Sequence, residues 1–272
     1  MKNVTDRTSN PFGMRPPCPE ESGESGETAG RSAVFGYGDA NADFHVVGDH
    51  PGVHGGRDTG VPFTGSSAGQ RLQAVLHEVG LLADPYSDEP EAADLFLSYR
   101  YMCCLPEGRE PTEREYDDLE PFFDAELRAI AAHVLLPVGE RATRHVLRTY
   151  AAREALLAPE GGARRGEPAA SGEAANGGVA SGETPTDEAA SGNDAADAES
   201  ADGGPGDRMA DLHADHLPGR GFLVVPVREP AEWDDGDAER LAASLADLLA
   251  SDYRQTADLG RFLAEHDTYE VR

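Results

Sequence analysis

Four short apolar runs, separated by longer stretches with helical periodicity, are the feature that most limits how this chain can fold. The runs are 44–47, 95–98, 133–136 and 222–227, and turn residues flank each of them. Runs of this length, rich in Val, Leu and Phe, are typical of buried strands. Their alternation with helices predicts an α/β fold, a three-layer sandwich with a mainly parallel four-stranded sheet and helices on both faces.

The helices are indicated by apolar spacing and by capping signals. Apolar residues recur at i, i+3, i+4 and i+7 from 72 to 79, and Thr112 with Glu115 forms a capping box. Two further helices fit 140–157 and 237–250. In sheets of this kind, ligands bind outside the carboxyl ends of the strands, so the loops after the four strands are expected to hold the functional site.

The charge balance of the 272 residues is strongly acidic. The chain has 51 acidic and 23 basic residues, for a formal net charge of −28, and Lys2 is its only lysine. Such a surface suits a protein that stays soluble at high salt, and we expect a halophilic cytoplasm; the alternative is an acidic chain with a disordered tail. The acidity argues against an ordinary nucleic-acid binder, although that objection weakens at multimolar salt.

Two absences in the sequence limit the class of protein further. No apolar run is long enough to span a membrane, and the first 30 residues lack a hydrophobic signal core, so we expect a soluble cytoplasmic monomer without membrane contact. Cys18, Cys103 and Cys104 are the only cysteines and form no CxxC pair. We therefore expect neither a disulfide nor a zinc site.

Composition divides the chain into four segments. Residues 159–210 are expected to be an acidic disordered insertion, because 159–208 hold eleven acidic and three basic residues and no aromatic one. Residues 1–32 form a polar N-terminal segment. The folded core is therefore expected to consist of 33–158, followed after the insertion by 211–272 with the last strand and the C-terminal helices.

The loop after the first predicted strand is unusually rich in glycine, with six glycines among residues 48–65. Such a loop lets backbone amides approach a ligand, but it lacks the ending of a phosphate-binding NTPase loop and the spacing of a dinucleotide fingerprint. Its residues alone indicate either a binding loop or a structural turn. His50 and His54 in this loop, like His213 and His216, are expected to be solvated rather than metal ligands.

Several segments together resemble a known family. Residues 33–43 and 48–65 resemble the start of the iron-sulphur uracil-DNA glycosylases of families four and five, and 54–60 lean towards family five. Residues 94–112 and 135–139 resemble the second and third strands of that family with the turns that follow them. Residues 226–231 fall where the family closes its site with a His-Pro motif.

The resemblance implies roles for the first loop. Asp49 takes the place of the carboxylic residue that, with backbone groups, surrounds the attacking water. Gly48, His50, Pro51 and Gly52 are then expected to bind the substrate beside it. Asp49 is accordingly a candidate catalytic residue.

Other positions of the implied pocket depart from the family. Phe63 matches the aromatic that stacks on the flipped base, but Tyr99 stands where an Asn reads the base edge, and it lacks the two-point amide contact. Glu229 replaces the His that stabilises the leaving base, so Arg228 and Glu229 become the catalytic candidates there. Trp233 lies where family members present a wedge to DNA; the alternative is a residue packed on the last helix.

The family's 4Fe-4S cluster is expected to be lost. Cys18 and Cys103 match two ligand positions, whereas Arg15 and Leu119 occupy the other two. Two thiolates are too few to hold the cluster. We therefore expect no metal and no cofactor.

The sequence thus predicts a uracil-DNA glycosylase-like protein. It would recognise a damaged base flipped out of DNA and hydrolyse its N-glycosidic bond in base excision repair. The alternative from another class is a catalytically silent nucleic-acid or nucleotide-binding module of the same fold. A third possibility is an interaction protein whose acidic insertion is the functional part.

Overall fold

A single mixed sheet organises the described part of the chain. The computed structural model describes residues 15–18, 32–157 and 205–259. The strands are β1 (Tyr37–Gly38), β2 (Phe44–Gly48), β3 (Leu95–Tyr99), β4 (Val134–Pro137), β5 (Leu217–Pro218) and β6 (Leu223–Val224). They form a sheet of order β1-β3-β2-β4-β6-β5.

The parallel core of the sheet confirms the four predicted strands. β3, β2, β4 and β6 run parallel, with Phe44 opposite Leu95 on one side and Val134 on the other. β1 and β5 add short antiparallel pairs at the two edges, which gives six strands instead of the predicted four. Tyr37–Gly38 and Leu217–Pro218 lie outside the four apolar runs, so the sequence did not indicate them.

Helices cover both faces, as the three-layer prediction requires. They are α1 (Pro51–His54), α2 (Ser67–Glu78), α3 (Glu113–Ile130), α4 (Gly139–Thr149), α5 (Pro205–Leu212), α6 (Asp237–Leu249) and α7 (Tyr253–Leu259). Side chains alternate across β2, so Val46 packs into an apolar cluster with α2 and α6. Its neighbour Val47 packs into a second cluster with α3 and α4.

Local sequence signals set where two of these helices begin. Ser66 caps α2 by accepting a hydrogen bond from the amide of Gly69. Thr112 and Glu115 form the predicted capping box at the start of α3, with both reciprocal hydrogen bonds present. The capping box fixes the end of α3 that lies beside the glycine-rich loop.

Two segment predictions differ from the structure or lie outside it. The helix predicted over 140–157 ends at Thr149, and a short 3-10 helix, Glu154–Leu157, follows it. Most of the predicted insertion 159–210 lies outside the described residues. Its last residues, however, belong to α5, which begins at Pro205.

The expectation that the chain has no disulfide is wrong. Cys18 and Cys103 form a disulfide bond, and Cys104 is a buried free thiol. The bonded pair lies in a third apolar cluster with Tyr101 and Leu119. Counting cysteines excluded a framework of several bridges, but it could not exclude one bridge between two residues that the fold brings together.

None of the helices in the described ranges is both long and apolar enough to cross a bilayer.

Candidate functional site

The candidate site lies at the carboxyl ends of β2 and β3, where α/β folds bind ligands. The chain leaves β2 at Gly48 and enters α1, a single turn that starts at Pro51. A Cβ atom at Gly48 would lie 2.7 Å from ring carbons of both Phe63 and Tyr99. The absence of a side chain at Gly48 therefore lets two aromatic rings pack over the end of the strand.

Asp49 is the carboxylate at this strand end, and both of its oxygens accept hydrogen bonds. The hydroxyl of Tyr116 donates to Oδ1 at 2.6 Å, and Nη1 of Arg141 donates to Oδ2 at 3.1 Å. Arg141 also donates to the hydroxyl of Tyr116 at 3.0 Å. A tyrosine from α3 and an arginine from α4 thus fix the orientation of this nearly buried carboxylate.

The electrostatics of this group hold both donors in their protonated forms. Burial raises the pKa of Tyr116, and the charge of Asp49 raises it further. Burial alone would lower the pKa of Arg141, but Asp49 and Tyr116 raise it overall. Asp49 therefore keeps two protonated hydrogen-bond donors at neutral pH.

His54 connects the first loop to the loop after β6. The backbone amide of Asp49 donates to Nδ1 of His54 at 3.0 Å, so this nitrogen carries a lone pair. The hydrogen of the neutral ring is then on Nε2, which donates to Oε2 of Glu229 at 2.9 Å. His54 is fully buried, so the expectation of a solvated histidine is wrong.

Glu229 comes close to the start of α4. Its Oε2 lies 3.0 Å from where a Cβ of Gly139 would be, so glycine at that position allows the approach. Its second oxygen, Oε1, is buried and has no hydrogen-bond partner among the described residues. One oxygen of Glu229 is thus hydrogen-bonded to His54, and the other lacks a hydrogen-bond partner that a ligand could supply.

Phe63 and Tyr99 bury each other. Their ring centroids are 5.3 Å apart, and each side chain is about 1% exposed. The hydroxyl of Tyr99 accepts from the amide of Phe63 at 2.7 Å and donates to the carbonyl of Gly55 at 3.0 Å. Phe63 has a φ of 59°, a left-handed conformation that is rare for a bulky residue, and the Tyr99 hydroxyl supports it.

His50 is buried rather than solvated. As the N-cap of α1, its Nδ1 accepts from the amide of Gly52 at 3.1 Å, whereas its Nε2 is buried without a partner among the described residues. Burial lowers its pKa, and Asp49 opposes that effect. His50, Pro51 and Gly52 line one side of a cavity of about 370 Å³.

Two sequence-predicted residues lie apart from this group. Nη1 of Arg228 donates to Asp234 at 2.7 Å and to Asp237 at 2.8 Å, at the start of α6. Glu229 bonds to His54 instead, so the two catalytic candidates Arg228 and Glu229 have different partners. Trp233 is 9% exposed, and its Nε1 donates to the carbonyl of Arg228, so it has the packed position that was the alternative to a DNA wedge.

The positions that match cluster ligands do not fit an iron-sulphur centre. The sulphurs of Cys18 and Cys103 are bonded to each other, and Leu119 is buried in the apolar cluster around them. Arg15 is exposed on the short N-terminal stretch. An arginine and a leucine offer no thiolate, so these four residues provide no cluster ligand set.

Sequence reasoning missed the two residues that orient Asp49. Tyr116 and Arg141 are 67 and 92 residues from Asp49 along the chain. The capping box predicted where α3 begins, but its periodicity did not show that Tyr116 faces the glycine-rich loop. The strand-helix alternation was the one signal that could have indicated Arg141, because it places the start of α4 at the same edge of the sheet.

Comparison with known proteins identifies the family. The model of the uracil DNA glycosylase superfamily matches residues 35–202, more than half of the chain. A type-5 uracil-DNA glycosylase of Pyrobaculum aerophilum is 35% identical over 125 residues, which are 44% of this chain and 55% of that protein. A type-5 enzyme of Mycobacterium leprae is 34% identical over 122 residues, 42% of this chain and 52% of that protein.

A type-4 uracil-DNA glycosylase of Saccharolobus solfataricus is also similar, with 26% identity over 119 residues, 43% of this chain and 50% of that protein. The chain spans about half the length of the curated relatives it matches. These matches confirm the resemblance to types four and five. The chain therefore belongs to the uracil-DNA glycosylase superfamily.

Proposed function

We propose that this protein binds DNA, accepts a damaged base flipped out of the duplex and hydrolyses its N-glycosidic bond in base excision repair. The observation that carries the proposal is the Asp49 carboxylate, held by Tyr116 and Arg141 at the carboxyl end of β2. Relatives named as uracil-DNA glycosylases support this assignment. Extrusion of the base is needed because its glycosidic bond is not accessible inside a stacked duplex.

In the proposed reaction the bond between the sugar C1′ and the base nitrogen breaks, and its electron pair leaves with the base. Positive charge then develops on the sugar, and a carboxylate beside it stabilises that charge. Water adds to C1′, and its proton passes to Asp49, which acts as the general base. The departing anion takes up a proton from solvent and Asp49 releases one, so the products are the free base and an abasic site.

The negative charge on the departing base requires a separate donor. Oε2 of Glu229 accepts from His54, so a proton on Glu229 would reside on Oε1, the oxygen without a partner. A protonated Oε1 donates a hydrogen bond to the base as it leaves.

The test is single-turnover excision from labelled duplexes that contain uracil, hypoxanthine or xanthine, measured at high salt because the acidic surface suits it. Asp49→Asn is expected to lower the rate about a hundredfold or more. Glu229→Ala removes the donor and is expected to lower the rate, whereas the matched control Glu232→Ala, on the exposed neighbouring turn, leaves it unchanged. Excision that is indifferent to both Asp49→Asn and Glu229→Ala would refute the proposal.

A specific observation favours a second candidate, a DNA-binding module without excision. The ring of Tyr99 packs against the ring of Phe63 that a base would stack on, and both are about 1% exposed. Tyr99→Asn removes that ring and places an amide where the family reads the base. DNA binding without excision in the wild type, with excision appearing in Tyr99→Asn, would establish the module and show that Tyr99 blocks the pocket.

A further inference from the structure

A second cavity, separate from Phe63 and Tyr99, lies behind the Asp49 group. It measures about 480 Å³ and lies between the ends of β3, α3 and α4. Four arginines and two glutamates are among the residues that line it: Arg100, Arg141, Arg144, Arg148, Glu113 and Glu140. Its volume is in the range of about 300–1,000 Å³ that is usual for small-ligand sites.

One face of α4 supplies most of this positive charge. Arg141, Arg144, His145 and Arg148 are spaced i, i+3, i+4 and i+7, so their side chains lie along one stripe of the helix. The stripe begins at Arg141, the residue that donates to Asp49, and extends for two turns away from it. Arg141 thus both lines the cavity and donates to the candidate catalytic carboxylate.

Arg100 adds a buried guanidinium from the end of β3. Its side chain lies over the ring of Tyr116, with 4.3 Å from Cζ to the ring centroid. The residue is 6% exposed, and its Nε is buried without a hydrogen-bond partner among the described residues. A buried N–H donor that lacks a partner is costly unless a ligand completes it.

A simpler interpretation is a solvated helix face whose charges pair with one another. It accounts for most of the stripe, since Arg141 pairs with Asp49 and Glu110, Arg144 with Glu140, and His145 with Glu120. It does not account for the unpartnered Nε of Arg100, nor for Arg148, which has no ion-pair partner in the described ranges. Four arginines on one cavity are also a local departure from a chain of net charge −28.

We propose that this cavity binds a phosphate group, and that in the working protein this phosphate is a phosphodiester of the DNA strand next to the flipped nucleotide. Guanidinium groups bind phosphate oxygens through paired N–H donors, so a cavity lined by arginines suits a phosphate. The inference rests on the proposed function only in naming DNA as the source of the phosphate. The phosphate held here positions the strand whose sugar lies at Asp49.

The test measures binding rather than excision, with a fluorescein-labelled undamaged duplex in an anisotropy titration over a range of salt concentrations. Arg144→Gln with Arg148→Gln is expected to weaken binding tenfold or more and to reduce the slope of log K against log salt by about one to two. Arg128→Gln is the matched control, an exposed arginine on α3 that pairs only with Asp124 among the described residues. Its binding is expected to remain close to that of the wild type.

Competition distinguishes the possible sources of the phosphate. Inorganic phosphate, a 5′-nucleotide and an uncharged methylphosphonate duplex are each added to the labelled complex. Displacement by inorganic phosphate and failure of the methylphosphonate duplex to bind support the proposal. A 5′-nucleotide that binds while the duplex does not would overturn the assignment to DNA.

Two further outcomes complete the test. Equal affinity and equal salt slope for the double variant and Arg128→Gln would overturn the proposed site. If the double variant unfolds, the single variant Arg148→Gln is used in the binding measurement instead, because this side chain is exposed at the last turn of α4. The probe is undamaged DNA, so this test of the phosphate site does not depend on excision. Intact binding of the duplex without excision of a damaged base would refute the glycosylase proposal and leave the phosphate site unaffected.

Discussion

Replacing Tyr99 by phenylalanine tests whether this residue is a base reader or a structural clamp. The substitution keeps the ring that packs on Phe63 and removes only the hydroxyl. That hydroxyl accepts from the amide of Phe63 at 2.7 Å and donates to the carbonyl of Gly55 at 3.0 Å. Burial raises its pKa, so it stays a protonated donor throughout the working range of pH.

The expected cost follows from the two backbone groups that lose their partner. An unsatisfied buried polar group costs about 1–3 kcal/mol, so Phe63 N–H and the less buried Gly55 carbonyl together cost about 2–4 kcal/mol. In a domain of this size the midpoint of thermal unfolding falls by roughly 2–4 °C per kcal/mol, which gives about 5–15 °C. Release of the left-handed Phe63 backbone acts in the same direction.

The assay is thermal and urea unfolding of Tyr99→Phe beside Tyr86→Phe. Tyr86 is a matched control, because its hydroxyl accepts from the amide of Gly65 at 2.8 Å and donates to Asp88 at 2.6 Å, but near the surface. Water replaces the lost partners there, so its cost is expected to stay below about 1 kcal/mol. An equal loss in the free energy of unfolding for the two variants would refute the structural role of the Tyr99 hydroxyl. Tyr99 would then again be a candidate for contact with a base.

Burial raises the pKa of Glu126 to about 7, above its ordinary 4.5, so its bound proton stabilises the fold fully below pH 4.5 and this contribution is lost as the pH rises through 7. Urea unfolding across that pH range is expected to show this loss of stability in the wild type but not in Glu126→Gln. Identical pH profiles of the free energy of unfolding for the two proteins would contradict the prediction. Reduction of the Cys18–Cys103 disulfide, which spans 85 residues, is expected to lower the free energy of unfolding by as much as about 4.5 kcal/mol, and an unchanged thermal midpoint would count against the bond. Emission from Trp233 is expected to stay constant when duplex DNA binds, because the ring is packed; a shift on proven binding would restore the wedge.

Much of the fold was predictable because it depends on local pattern. The four apolar runs became the four parallel strands, and Thr112 with Glu115 capped α3 as expected. The edge strands and the disulfide were not predictable, since they depend on which distant segments meet. Cys18 and Cys103, 85 residues apart, show this most clearly.

The candidate site was predictable in its position but not in its partners. Asp49 and Phe63 lie at the strand end where the glycine-rich loop placed them. His54 was expected to be solvated, because a histidine in a polar, glycine-rich loop carries no sign of the ring stack with Phe63 and Tyr99 that buries it. A sequence does not show which distant side chains form hydrogen bonds, so it could not predict the bond from His54 to Glu229.

The acidic composition indicated a poor nucleic-acid binder, and the structure shows why net charge is a weak guide here. Interactions between exposed charges are screened within about 8 Å at physiological ionic strength, and over shorter distances at higher salt. Most of the excess carboxylates therefore contribute little to the field inside a cavity lined by Arg100, Arg141, Arg144 and Arg148. What a phosphate would experience there is set by the nearest groups, among them Arg148, which has no ion-pair partner among the described residues, and the buried Nε of Arg100, in a partly enclosed space where charge interactions are stronger than in water. A chain of net charge −28 can thus offer a site for an anion without any change in its overall charge.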